Sequence, residues 1–475
     1  MAPGQTRAPG KARVPGQTRT PGQTRTPGKV RPTGRAAYRA PAEPAGLWRR
    51  SAWSARMESP LAPYYLILGS TVALVVLGLI MVLSSSSVTA LTSQGSSYAV
   101  FSKQAMFAAL GLPLCWIAAA VPVRVWKAVA WPLLLVTLAA LAAVPVIGRD
   151  FQGNQNWIVI GGFTVQPSEA AKLALVVWSA AVLARKQPLL DRVPHLLVPV
   201  LPGACLVLVL VMLGRDLGTA LILMALVAAL LYTAGAPMRL FALVGVLATA
   251  TVALLVVTSP NRMTRMNAWL GTDPADPLGT DYQISQAAFA LASGGWWGVG
   301  LGASREKWLL LPEAHNDFIF AVIGEELGLA GTLAVLGLFA ALGVGLCRLV
   351  LAADDFFVKI ATGGVLAWVL GQAIVNIGAV IGLLPVIGVP LPLVSSGGSA
   401  LVTTLVALGM VLGFARRVPG AAHALSSRPR VVRRSFAVVP GRVAAARGRP
   451  ARTVRVGGAR PTHTARPGRP GGGAA

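Results

Sequence analysis

The chain has 475 residues, 55% hydrophobic and only 12% charged, with a formal net charge of +26. Several apolar runs approach the roughly twenty residues that cross a hydrocarbon core, which excludes an ordinary soluble domain. The charge sits at the ends: residues 1–58 carry 12 basic and 2 acidic side chains, and residues 416–475 carry 14 basic and none acidic, so a nucleic-acid-binding domain is excluded as well.

In chain order, the first tail (1–58) repeats Pro-Gly-Gln-Thr-Arg at 3–7, 15–19 and 21–25. Proline and glycine at that density, with few large apolar side chains, predict a disordered basic segment. The first apolar run begins near Leu61, behind this long tail, and exceeds a signal-peptide core, so it reads as a retained membrane helix. Ten spans follow: 61–83, 99–121, 128–147, 167–184, 195–213, 216–234, 239–258, 318–347, 359–383 and 399–415. The expected fold is all-α: a polytopic membrane domain over 59–415 with a large extracytoplasmic loop, 259–317, between helices 7 and 8, followed by a second basic tail, 416–475. Orientation comes from Arg124, Lys127, Arg185, Lys186, Arg192, Arg239, Arg348 and Lys359, all in turns on one side, whereas loops 84–98 and 384–398 lack Lys and Arg. The positive-inside rule then puts both tails in the cytoplasm and 259–317 outside. Cys115, Cys205 and Cys347 are isolated, so neither a zinc site nor a disulfide framework is indicated.

The 259–317 loop holds Asp273, Asp276, Asp281, Glu306 and Glu313 together with Arg262, Arg265, Arg305 and Lys307. Within it Ile284, Ala287, Ala288 and Leu291 follow i, i+3, i+4, i+7 spacing, and Trp296-Trp297 come after Gly294-Gly295. That pattern predicts a short amphipathic helix at the membrane surface, anchored by indoles.

Charges inside membrane spans are costly and usually functional. Glu169 and Lys172 share a face at the start of the fourth span, as a self-neutralising pair or as the lining of a polar cavity. Asp216 opens the sixth span, where the helix dipole favours a carboxylate in any case. Asp317, Ala321, Glu325 and Gly328 fall on one face of the eighth span, and His315 with Asp317 is a weak metal signal. On spacing alone, Asp273-Pro274-Ala275-Asp276-Pro277 is turn chemistry.

Four blocks change that balance: NWIVIGGFTVQPSEAAK at 156–172, RDLGT at 215–219, LPEAHNDFIFAVIGEELG at 311–328 and NIGAVIGLLPVIGVPLPLVSSGGSA at 376–400. In this order they resemble the SEDS family (shape, elongation, division and sporulation) across the whole 61–415 core, with LPEAH nearer the division branch. The resemblance implies a peptidoglycan glycosyltransferase that polymerises lipid II outside the plasma membrane during septal wall synthesis. It also implies partnership with a class B penicillin-binding protein and other division proteins. An elongation polymerase and a lipid II flippase are the alternatives, with a non-catalytic division scaffold as a third.

The family's essential aspartate, in a pattern like Asp-Pro-x-Gly-x-x-Tyr-Gln, falls on Asp276. A sugar hydroxyl needs a base, and the departing pyrophosphate needs nearby positive charge. Arg262 and Arg265 are the candidate cations, with Arg305 and Lys307 behind them. No cofactor is firmly implied; a divalent cation, Mg or Mn, is a further source of charge. Glu169, Lys172 and Asp216 would line the headgroup cavity, with Ser395, Ser396, Gly397, Gly398 and Ser399 at its mouth. Trp157, Gln166, His315, Asp317 and Glu325 complete the candidate substrate contacts. Asn156 stands where the family commonly has Arg, and Ile387 where some members have Lys.

Overall fold

The computed structural model describes residues 59–151, 154–190, 192–270, 280–308, 311–418 and 420–421. The two basic tails and the 271–279 segment lie outside that range.

A backbone in hydrocarbon has no water to bond with and must satisfy itself, which favours continuous helices. Among the described residues nine helices are long and apolar enough to span a bilayer. They are α1 (Ala62–Gln94), α2 (Ala99–Ala120), α3 (Val123–Ile147), α4 (Pro167–Arg185), α5 (Val193–Leu213), α7 (Met238–Val257), α10 (Ile319–Ala352), α11 (Phe356–Val380) and α12 (Gly398–Ala415). The expected sixth span is α6 (Leu217–Thr233), an apolar helix whose 17 residues rise about 25 Å. The large loop carries α8 (Pro260–Leu270) and α9 (Thr280–Gly294).

Helix α1 runs eleven residues past the expected stop at Leu83. The Ser84–Ser87 run does not end it, because serine hydroxyls bond back into the helix, as Ser86 does to Val82 O at 2.6 Å. Helix α4 is the centre of the bundle, with 89% of its apolar window buried. Helices α2 and α12 meet where Gly409 and Gly413 lie against the carbonyls of Cys115 and Ala119, leaving no room for a Cβ. This is the close backbone approach that small residues permit in lipid. Helix α7 is nearly bare, with 6% of its window buried.

A three-stranded antiparallel sheet, β1 (Arg149–Phe151), β2 (Asn154–Ile160) and β3 (Phe163–Val165), stands where no strand was expected. Ile160 pairs with Phe163 across Gly161-Gly162, whose φ values are 58° and 84°. Two residues at positive φ make the tight hairpin whose twist suits paired strands, and glycine adopts it without strain. Gly-Gly between runs of β-branched and aromatic residues, Ile158–Ile160 and Phe163–Val165, is the signal that the helical reading passed over.

The expected loop helix exists as α9, but its buried face is Ala287, Ala290 and Gly294. Ala288 is exposed, and α9 packs on α10. Trp296 and Trp297 follow it, 72% and 82% exposed.

Candidate functional site

With the chain alternating direction at each span, α4, α6, α10 and α12 all begin at the same end of the bundle as the large loop. Their first turns surround one cavity of about 840 Å3, reached by Gln166, Asp216, Asp317 and Gly397. Each helix start presents N–H groups without intrahelical partners and a partial positive charge. The α6 start is capped by the Asp216 carboxylate, and the three without a side-chain cap, those of α4, α10 and α12, favour an anionic guest.

The floor is a sealed polar cluster. Lys172 Nζ donates to Glu169 Oε1 at 2.7 Å and to Gln372 Oε1 at 2.9 Å, and lies 5.2 Å from the centre of the Trp368 ring. Trp368 Nε1 donates to the same Gln372 oxygen at 3.1 Å, and Gln372 Nε2 donates to Pro390 O at 2.9 Å. Glu169 and Lys172 are 2% and 1% exposed, so both sequence readings hold: they neutralise each other and they line the cavity. Glu169 Oε2 is enclosed without a hydrogen-bond partner.

Asp216 caps α6. Its Oδ1 accepts from Thr219 N at 2.9 Å, and its Oδ2 accepts from Thr219 Oγ1 at 2.7 Å and Gln166 Nε2 at 3.0 Å. The cap also ties the first turns of α4 and α6 together across the cavity wall.

The segment between α11 and α12 is extended, and side chains answer its backbone. Asn376 Nδ2 donates to Asp317 O and Val389 O, both at 2.8 Å. Ser395 Oγ accepts from Leu391 N at 2.8 Å and donates to Asn316 O at 2.6 Å. Ser396 N donates to His315 O at 3.0 Å, and Gln104 bridges Ser395 O and Gly397 N. This stitching lets non-helical chain lie inside the bundle, tolerable only because it borders a cavity. Gly388 is at φ 73°, and a Cβ there would stand 3.6 Å from Asp317 Oδ2 and 3.9 Å from Arg265 Nη1. Its missing side chain keeps those two groups open to the cavity. Burial, reinforced by Glu313 and opposed by Arg265, raises the Asp317 carboxyl to about 7. Burial lowers His315 against the pull of Glu313.

Of the expected contacts, Trp157, Gln166, Glu169, Lys172, Asp216, Arg265, His315, Asp317, Ser396 and Gly397 line the cavity. Ser399 stands one layer back, its Oγ accepting from Gln166 N at 3.3 Å. Gly398 abuts the Phe107 ring, and Ser395 serves the backbone. Asp276 and Asp273 lie outside the described residues, as does the side chain of Arg262. Asn156 and Ile387 line the cavity, so the two positions without a cation face the guest. Arg215 and Glu313 also line it; both lay within motifs already singled out, and only the turn geometry brings them inward. Among the described residues no three His, Cys, Asp or Glu side chains converge as metal ligands.

Glu325 is displaced from the expected set. It lies where Gly328, at φ 67°, breaks α10. The orphaned backbone groups are met by the loop after α9: Val299 N donates to Glu325 O at 2.9 Å, Gly300 N to Glu326 O at 3.1 Å, and Leu329 N to Gly295 O at 2.9 Å. Glu325 Oε1 accepts from Arg305 N at 2.7 Å and its Oε2 from Ser304 Oγ. Glu326 accepts from Ser84 Oγ at 2.6 Å, with Lys307 Nζ 3.6 Å away. Lys307, offered as a counter-charge for the substrate, is thus spent inside this joint. Burial and the neighbouring Glu325 raise the Glu306 carboxyl.

Fold and site together define a class: a polytopic membrane protein built around a polar cavity at one end, with Val252 and Val256 of the loosely packed α7 as an apolar wall. Known proteins narrow it. The model of the FtsW/RodA/SpoVE family, described as "cell cycle protein", matches residues 65–418. The chain is 42% identical over 355 residues to the probable peptidoglycan glycosyltransferase FtsW of Halorhodospira halophila, covering 72% of this chain and 87% of that one. It is 37% identical over 386 residues to the protein of the same description in Mycobacterium tuberculosis, covering 81% and 74%. Among solved structures, the rod shape determining protein RodA of Thermus thermophilus matches with TM-score 0.56 and 28% identity over 75% of this chain and 97% of that one. A chain from a peptidoglycan synthase complex, studied for its coordination of polymerization and crosslinking, matches with TM-score 0.60 and 29% identity over 74% and 97%. The chain belongs to the FtsW/RodA/SpoVE family.

Proposed function

We propose that this peptidoglycan glycosyltransferase polymerises lipid II at the outer face of the plasma membrane, with Asp276 as the base. The acceptor sugar hydroxyl attacks the anomeric carbon of the donor as the bond to the diphosphate breaks, inverting that carbon. The proton passes to Asp276, and negative charge gathers on the leaving diphosphate. The supporting observation is the cavity itself, where the uncapped starts of α4, α10 and α12 and Arg265 supply positive potential for such a group. Val252 and Val256 give the polyprenyl chain an apolar wall. Asp276 is six residues beyond Leu270, the end of α8, and α8 contributes Arg265 and Met266 to the cavity.

A flippase is the less favoured reading. It needs a polar path to the opposite face, and beneath Lys172 the bundle closes in the buried α4 stretch from Leu173 to Leu183. The FtsW relatives favour division, and the synthase-complex match favours a crosslinking transpeptidase, a class B penicillin-binding protein, as partner. The basic tails fit the cytoplasmic side and the large loop the outside. The test is Asp276→Asn, purified with its transpeptidase partner and given lipid II. Glycan strand formation should fall at least a hundredfold while lipid II still binds. Strands at the wild-type rate would remove Asp276 from the mechanism.

A further inference from the structure

Among the described residues a small cavity of about 10 Å3 lies behind the large one, between the start of α10, the end of α11 and the extended segment that follows it. Asp317, Ile387, Gly388 and Val389 line both cavities. Room of about that size holds a single water. Two atoms of its lining residues are buried without a hydrogen-bond partner, Asp317 Oδ1 and Asn376 Oδ1. Asn376 is 3% exposed. Turning its amide round would not help, because Nδ2 already donates to Asp317 O and Val389 O, and a reversed amide would set its oxygen against those two carbonyls. Every other side chain on the small cavity is apolar, so none of them can donate.

A group that meets two acceptors at once must bring two donors, and water does so with its two O–H bonds. A divalent cation takes six or more oxygens, and the side chains here offer two. Left unmet, both oxygens would bear the full cost of desolvation. The two oxygens of Asp317 therefore have separate duties. Oδ2 borders the large cavity, where the missing side chain of Gly388 leaves it open beside Arg265 Nη1. Oδ1 is gripped from behind. The charged neighbours that act on this carboxyl are Glu313 and Arg265.

We propose that Asn376 is a positioning residue: through one buried water shared with Asp317 Oδ1, it holds the Asp317 carboxyl towards the lipid-linked substrate. This rests on the glycosyltransferase reading above. The test uses the full-length protein with its transpeptidase partner in detergent, as wild type, Asn376→Leu and Val380→Ile, each alone and combined with Asp317→Asn. Val380 lines the small cavity, and isoleucine adds one methyl, about the size of the water, while leaving both Asn376 bonds in place. The readouts are polymerisation over a range of lipid II concentrations and unfolding temperature from about pH 4 to about pH 9.

Asn376→Leu should raise the half-saturating lipid II concentration about fivefold, the effect of one lost hydrogen bond, with kcat nearly unchanged. Val380→Ile should raise it about threefold. Water donating to Oδ1 favours the ionised carboxyl, so displacing it makes Asp317 hold its proton to higher pH. The stability this group gives, full below about pH 4 and lost as pH rises, should then decline over a range extended upwards in both variants. Combined with Asp317→Asn, neither should show that extension. A purely structural defect would lower the unfolding temperature evenly across pH in both backgrounds, and that result would overturn the assignment. So would a higher unfolding temperature for Val380→Ile at every pH, the mark of a dry void filled, or wild-type saturation in both variants. If Asn376→Leu does not fold, Val380→Ile decides alone. If the wild type makes no polymer, it is the glycosyltransferase reading that fails, and the pH range then decides for or against the bridge.

Discussion

Two clusters of buried charge lie one or two turns inside helices that begin at the outer end, and they are finished differently. In the joint at the α10 break both carboxylates meet donors: Glu325 accepts from Ser304 and the Arg305 N–H, and the single Ser84 hydroxyl lies within reach of both Glu326 oxygens, with Lys307 Nζ 3.6 Å away. In the cavity, Glu169 Oε2 is enclosed without a partner. An unmet buried oxygen costs free energy, and folding alone would select against it. Saturated charge therefore marks a brace and unsaturated charge marks a site. The joint's exception is Glu306 Oε2, also unmet. The same burial that strands it favours the proton-carrying neutral form.

The sharpest way to break that contrast is at Lys172. Lys172→Met leaves the Glu169 charge enclosed without its cation and should cost about 3–5 kcal/mol of stability, measured by unfolding in detergent. Adding Glu169→Gln should restore most of the stability and none of the polymerisation. A double variant that regains activity would make the pair a brace after all. Next comes the joint, where Glu325→Ala orphans Ser304 and the Arg305 N–H and should cost about 1–3 kcal/mol. There Glu325→Gln, whose amide oxygen can still accept from the Arg305 N–H while its NH2 donates to a reoriented Ser304 Oγ, should recover stability and activity together. Activity lost in a fully stable Glu325→Gln protein would place Glu325 in the reaction.

A third test lies in the pH dependence. Asp317 titrates at about 7 in the folded chain against roughly 3.9 when unfolded. Between those values the folded state holds the proton and the unfolded state does not. Stability from this group is therefore full below about pH 4, declines as pH rises, and is gone above about pH 7. Asp317→Asn should flatten that decline in unfolding temperature over pH 4–7. An unchanged slope would show that Glu313 and burial do not act on Asp317 as its surroundings imply.

Much of this molecule could be read from the chain alone. The bilayer fixes the length of an apolar helix, so all ten spans were visible in composition, with ends displaced where serines continued α1 or a helix started a few residues early. The four motif blocks likewise gave most of the cavity's lining, because Gln166, Glu169, Asp216 and Ser396 each lie at or beside a helix start that the sequence already marked. Tertiary structure alone decided where the charges went. Spacing along a helix shows which residues share a face, and Glu169 and Glu325 look alike by that measure. Their different fates depend on what packs opposite: a gap between helix starts for one, and a loop carried onto a glycine break for the other.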